Sequence, residues 1–288
     1  MEKLIILGHI NPDVDSIISG YLLEKVLNKK GFASEFIIPD KQISEDTLNI
    51  CINNGLDPTK YMKDIDLNNK NTKYILVDHN YRKLAGEIVC IIDHHPTTKK
   101  IKIDYYFNSN VSSIAYYIAK HNEELLDLSD LKLAIVASMV DTASFHSTKG
   151  DKQDIDWILS ICDKYNFNYD ELYEQGLCLT PLENLNKASL NGFKSYDFDG
   201  RIVESSYIQL ENPSLKEKEV EEILNILKSR VKQKQLTAFA FIVHDMTEFK
   251  TMYYLISKDK IQRYYYTNYT ARGNTIIPEI EKMLNELI

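Results

Sequence analysis

Apolar residues open the chain in short continuous runs rather than in strict alternation. Runs of strand length occupy Leu4–Leu7, 35–38, 74–77 and 88–92. Between or after them apolar positions take helical spacing, as in Ile17, Ile18, Tyr21, Leu22, Leu23, Val26 and Leu27. Strands buried on both faces and joined by helices predict an α/β fold with a mostly parallel sheet flanked by helices. From residue 112 to 167 the pattern becomes mostly helical, through 114–118, 131–140 and 155–162.

The texture changes after Gly176. Thr180-Pro181 breaks the helical run, and 185–190 reads as a connector or short helix. Segments 193–198 and 202–210 around Asp199-Gly200 predict a hairpin. A charged helix over 214–234, strands at 236–244 and 251–256, a tyrosine-rich strand near 263–266 and a last helix from Pro278 follow. The expected organisation is an N-terminal α/β domain over 1–185 and a smaller C-terminal α+β domain with a mixed sheet over 186–288.

Composition narrows the functions open to such a chain. With 288 residues and 44% hydrophobic content, each domain can bury a core. The longest apolar run, 236–243, falls short of the roughly 18 residues of a membrane span. The N-terminal residues lack a signal-peptide build, so a soluble cytoplasmic protein with no membrane partner is expected. Cys51, Cys90, Cys162 and Cys178 lack C-x-x-C spacing and read as reduced thiols. A net charge of -8 argues against a duplex nucleic-acid binder and is compatible with carboxylates that hold divalent cations.

Glycine spacing excludes more. The ten glycines are never closer than eight positions, so the dinucleotide fingerprint, the P-loop and the nucleophile elbow are all absent. Any phosphate chemistry must use side chains and metals.

Candidate side chains gather after the apolar runs. Gly8-His9-Ile10-Asn11-Pro12-Asp13-Val14-Asp15-Ser16 follows the first strand, Asp78-His79-Asn80 the third run and Asp93-His94-His95 the fourth. Asp141 ends a helical segment as Val140-Asp141-Thr142. Taken singly, Asp13 or Asp15 fits a helix N-cap and Asp78-His79-Asn80 a turn. Adjacent histidines at 94 and 95 fit a buried hydrogen-bonded pair as readily. Together, however, so many carboxylates at the carboxyl ends of strands need cations to offset their burial. Oxygen and imidazole donors without thiolates suit manganese, cobalt or magnesium, and two such ions can activate a shared water for displacement at phosphorus.

GHINPDVDSI, VDHN, IIDHH and VDT, in that order, resemble the motifs of the DHH phosphoesterases. The N-P-D-x-D-S form is similar to that of family II, manganese-dependent inorganic pyrophosphatases, and residues beyond 186 resemble their DHHA2 domain. The resemblance implies two Mn2+ ions, with Co2+ or Mg2+ as alternatives and further Mg2+ carried by substrate. His9, Asp13 and Asp78 would bind one ion; Asp15, Asp78, His94 and Asp141 would bind the other. His95 would meet the substrate phosphate and serve as general acid, supported by Asp93, with His79 beside the metals. Lys194 and Arg272 would grip phosphate. His146 stands where the family has lysine, and Ala271, Gly273 and Asn274 replace Ser and two lysines of the S-R-K-K motif.

The implied function is hydrolysis of inorganic pyrophosphate by a metal-bridging hydroxide, with a small phosphate-containing substrate as partner and a homodimer through the first domain. Losing cations beside Arg272 leaves an exopolyphosphatase-like enzyme acting on longer polyphosphate, nucleotide or phosphoester substrates as the alternative. A non-catalytic nucleotide-binding or regulatory protein is a third reading.

Overall fold

The computed structural model describes residues 3–95, 103 and 105–286, apart from the side chain of Asn274. The first half runs β1 (Leu4–Leu7), α1 (Val14–Lys29), β2 (Ser34–Ile37), α2 (Glu45–Asn53), β3 (Lys73–Val77), β4 (Glu87–Asp93) and β5 (Tyr105–Asn108). Helices α3 (Ile114–Lys120), α4 (Leu128–Thr142), α5 (Lys152–Tyr165), α6 (Tyr169–Leu177) and α7 (Leu185–Ala188) follow. The chain then forms β6 (Lys194–Phe198), β7 (Arg201–Leu210), α8 (Glu217–Lys234), β8 (Ala238–Asp245), β9 (Lys250–Ile256), β10 (Ile261–Tyr266) and α9 (Ile277–Asn285).

Two compact units result. One comprises Met1–Phe145 with Lys149–Gly176, the other His146–Thr148 with Leu177–Ile288. Residues 177–185, which the sequence pattern groups with the first domain, belong to the second unit. Thr180 donates its N–H to the Gln209 carbonyl and its hydroxyl oxygen accepts from Gln209 N–H, tying this stretch to β7.

The first unit is built on a five-stranded sheet in the order β2-β1-β3-β4-β5, parallel throughout. Its continuous apolar runs follow from burial of both faces. Ile6, Ile75 and Val77 pack with α1, α3 and α4, whereas Ile5, Leu7, Tyr74 and Leu76 pack on the opposite side against Ile65, Leu67 and Leu84. Strand order reverses between β1 and β3, and such switch points open a crevice at the carboxyl ends of the strands.

The second unit holds a mixed sheet, β10-β9-β8-β7-β6, in which only β7 and β8 run parallel. Phe239, Phe241 and Val243 of β8 pack against Ile223, Leu227 and Val231 of α8, and Ala240 and Ile242 face Ile277 and Ile280 of α9. The predicted hairpin is β6 and β7, paired antiparallel from Lys194↔Ser205 to Phe198↔Arg201. The four cysteines are free. Among the described residues no helix is long and apolar enough to cross a membrane.

Candidate metal centre

The switch point carries the first two groups of side chains. After Leu7 the chain turns through Gly8, where a Cβ would collide with the Ser16 hydroxyl. That approach lets Ser16 Oγ accept the His9 N–H at 3.0 Å, and Arg82, buried behind the turn, donates to the Gly8 carbonyl at 2.8 Å. Asn11 takes the left-handed φ of 54° that Asn tolerates. Asp13 then caps α1: its Oδ1 accepts the Ser16 N–H at 3.1 Å, and its Oδ2 lies 3.1 Å from His9 Nε2. A residue that reads as a helix cap is therefore also aimed at a histidine.

Asp78 follows β3 at a φ of 60°. For a side-chain-bearing residue that conformation costs roughly 1–2 kcal/mol, and the bond from Asp78 N–H to the Ile92 carbonyl at 2.9 Å holds it. The carboxylate spans two histidines: Oδ2 is 3.5 Å from His9 Nε2, and Oδ1 is 3.2 Å from His94 Nε2. His94 stands directly after β4, its Nδ1 2.9 Å from the Val111 carbonyl. A carbonyl only accepts, so Nδ1 carries a proton and Nε2 is the ring atom that faces the carboxylates.

Asp15 and Asp141 complete this side. Asp15, in the first turn of α1, accepts the N–H groups of Ile114 and Ala115 at 2.8 and 2.9 Å, which locks α3 to α1. Its Oδ2 is 3.8 Å from His94 Nε2. Asp141 lies in the last turn of α4, with Oδ2 3.4 Å from His94 Nε2. Ala143, Ser144 and Phe145 then take successive left-handed φ values of 49°, 54° and 66°, a concentration of strain of the kind found beside functional sites.

Three overlapping groups present donor atoms within 4.8 Å of one another: His9, Asp13 and Asp78; Asp15, His94 and Asp141; and Asp78, His94 and His95. His95 is held by Asp93, whose Oδ1 accepts the His95 N–H at 3.1 Å and lies 2.9 Å from its Nδ1. Asn80 and Asn108 donate to the other Asp93 oxygen at 2.7 and 3.3 Å. His79 points its Nδ1 at the Val77 carbonyl, 2.9 Å away.

Electrostatics show what the cluster lacks. Burial, reinforced by Asp13, pushes the Asp78 carboxyl well above its usual range, and burial with Asp78 nearby does the same to Asp15. Burial alone would raise Asp141, but Lys149 and His94 hold it low. Burial lowers His95 to about 4 despite its bond to Asp93, so the ring is neutral at pH 7. Asp93 itself, although buried, is held near 2 by His95. Both oxygens of Asp78 and Nε2 of His94 are buried without a hydrogen-bond partner among the described residues. Buried donor atoms that converge without hydrogen-bond partners fit divalent cations, and the oxygen and imidazole donors fit manganese.

Several of these contacts carry no signal in the linear pattern of residues. Lys149 places Nζ 2.6 and 2.7 Å from the two oxygens of Asp141. Asn80, Asn108 and Arg82 likewise act across 13, 15 and 74 positions of sequence, a separation no local pattern encodes.

Lys194, Arg272 and His146 belong to the second unit. Lys194 pairs with Ser205 at the start of β6 and is half-buried. Arg272 opens a π-helical turn over Arg272–Ile276. Its guanidinium donates to the Gly192 carbonyl, lies 3.4 Å from Ser205 Oγ and sits 5.4 Å from the centre of the Tyr207 ring. His146 stacks on Phe249. Gly273 is exposed, and beyond its own stretch of chain nothing lies within 4 Å of where its Cβ would stand. The side chain of Asn274 lies outside the described residues.

Residues 3–140 match the DHH family, N-terminal domain. The manganese-dependent inorganic pyrophosphatase of Methanocaldococcus jannaschii is 26% identical over 306 aligned residues, covering 95% of this chain and 93% of that protein. The manganese-dependent inorganic pyrophosphatase of Bacillus subtilis is 23% identical over 296 residues, covering 96% and 93%. A solved Methanococcus jannaschii structure assigned to family II inorganic pyrophosphatases superposes with a TM-score of 0.75 at 21% identity, covering 98% of this chain and 99% of that one. At that identity the likeness concerns the fold.

Proposed function

We propose that this chain, whose residues 3–140 are a DHH-family N-terminal domain, is a metal-dependent hydrolase that cleaves inorganic pyrophosphate into two phosphates. The observation that carries the reading is the Asp78 carboxylate, one oxygen toward His9 and the other toward His94, at the junction of two donor groups. His9, Asp13 and Asp78 would hold one Mn2+, and Asp15, Asp78, His94 and Asp141 the other. Bound there, two divalent cations would supply Lewis acidity toward phosphoryl oxygens and lower the pKa of water.

The chain's own groups handle the substrate and its protons. Asp93 fixes the His95 ring through Nδ1, which leaves Nε2 to meet a phosphate. An anionic phosphate beside a neutral imidazole favours its protonated form, so substrate binding itself would prepare His95 to give a proton to the departing phosphate. Lys194 and Arg272, with His146, would offset the remaining substrate charge. Arg272 is suited to this because Gly192, Ser205 and Tyr207 already restrain its guanidinium.

Phosphate release from pyrophosphate, assayed with Mn2+, Co2+ or Mg2+, tests the reading. Turnover no faster than the metal-free control, with metal shown to be bound, would refute it. The open space at Gly273 favours a second reading, in which a longer polyphosphate or a phosphoester occupies the clamp. Tripolyphosphate, polyphosphate and nucleotides run beside pyrophosphate separate the two.

A further inference from the structure

We infer that Lys149 is an internal counter-cation that competes with a divalent ion for the group formed by Asp15, His94 and Asp141, so that the two halves of the centre fill with unequal affinity. The inference rests on the metal-centre reading above and deepens it.

Asp13, Asp15, Asp78 and Asp141 converge in the cluster with four formal negative charges. Lys149 enters it with a side chain only 12% exposed and binds both oxygens of Asp141. Of the three donor groups, Asp141 belongs to the one with Asp15 and His94 and not to the one with His9 and Asp13. Its Oδ2, 2.7 Å from the ammonium, is also the oxygen 3.4 Å from His94 Nε2. A cation held jointly by His94 and Asp141 would therefore stand beside Lys149 Nζ in a buried setting, where like charges repel strongly.

Counting charge gives the same answer. With the ammonium in place, one divalent ion leaves the four carboxylates nearly neutralised, and a second would make the cluster positive. With the ammonium withdrawn, two divalent ions balance the four carboxylates. Filling the second position thus requires Lys149 to leave Asp141. The lysine can do so without disturbing a helix, because it lies between α4 and α5, next to Gly150 at a φ of 75°.

Calorimetric titration of the metal-stripped full chain with Mn2+, with electron paramagnetic resonance reporting the spin-coupled ion pair, tests this. The wild type should fill in two separated steps. Lys149→Met should tighten the second step by about tenfold to a hundredfold, the range of one charge-assisted contact, and leave the first within about twofold. It should also lower the metal-free melting temperature, because Asp141 is left uncompensated. Tighter metal binding with weaker metal-free stability separates competition from a merely structural lysine, whose loss would weaken both. Lys149→Arg should bind as the wild type does, and the wild-type steps decide the matter should Lys149→Met fail to fold. Equal steps in the wild type, or a second step unchanged or weaker in Lys149→Met, would overturn the proposal. No Mn2+ binding by any of the proteins would overturn the metal-centre reading beneath it.

Discussion

Asp93 receives His95 twice on a single oxygen, from the backbone N–H at 3.1 Å and from ring Nδ1 at 2.9 Å. The pair fixes both the tautomer and the direction of the imidazole, since a carboxylate can only accept. Asp93→Asn offers an amide that can donate, so it permits the wrong tautomer while keeping the shape. The expected result is a fall in kcat of about tenfold to a hundredfold, with Mn2+ affinity nearly unchanged. Steady-state kinetics beside a Mn2+ titration check it, and an unaltered kcat would show that His95 has no proton to manage.

Asp78 is the residue on which function and stability should oppose one another. Burial and neighbouring Asp13 push its carboxyl well above the usual range, so the metal-free fold is strained by its charge. Asn keeps the left-handed backbone and removes that charge. Asp78→Asn should therefore melt higher than the wild type without metal, by about 2–4 °C for each ~1 kcal/mol recovered, yet lose turnover and the coupled metal pair. Calorimetric melts of the metal-stripped proteins decide it. A variant that binds two ions and turns over normally would remove Asp78 from the junction.

The sequence reveals the skeleton of this centre because its logic is local. Continuous apolar runs mark β1, β3 and β4, and the candidate donors stand within a few residues of their ends. β5 is harder to read: Tyr105–Asn108 is four residues long and only partly buried. The α2 helix, with just two buried positions, gives a similarly weak apolar pattern. Residues 177–185 read as part of the first domain because their ties to β7 are hydrogen bonds across about 30 positions. Lys149 escapes for a related reason, since a lysine in an irregular segment resembles a solvated charge until folding brings it against Asp141.

His244 predicts the acid behaviour of the second unit. It is buried in β8, stacked on Tyr269 at 4.2 Å with Nδ1 3.0 Å from Thr251 Oγ1. Burial, then the charge of Arg272, lower its pKa from 6.5 to about 3. Below pH 6.5 the unfolded chain takes up a proton that the folded ring refuses, so stability must fall as pH drops from 6.5 toward 3. The slope from this one group approaches ~1.4 kcal/mol per pH unit. His244→Phe should flatten that part of the profile. Trp157, the single tryptophan, lies in the first unit, so hydrogen exchange at β8 is the measurement, and an identical pH profile in the variant would exclude the assignment.

Gly273 decides how much of the substrate reading survives. Arg272 is braced by the Gly192 carbonyl and the Tyr207 ring, whereas the next position is exposed, with nothing beyond its own stretch of chain within 4 Å of a Cβ. A Cβ at this position meets open space, so the backbone accepts a side chain there. If the clamp receives pyrophosphate, Gly273→Lys adds a cation beside Arg272 against a compact anion. Discounting for solvent at this exposed position, KM for pyrophosphate should fall by about threefold to tenfold, with kcat little altered. Longer polyphosphate spreads the same charge along a chain and should gain less. Parallel kcat/KM values for pyrophosphate and tripolyphosphate measure the difference: a gain confined to tripolyphosphate would transfer the site to the longer substrate.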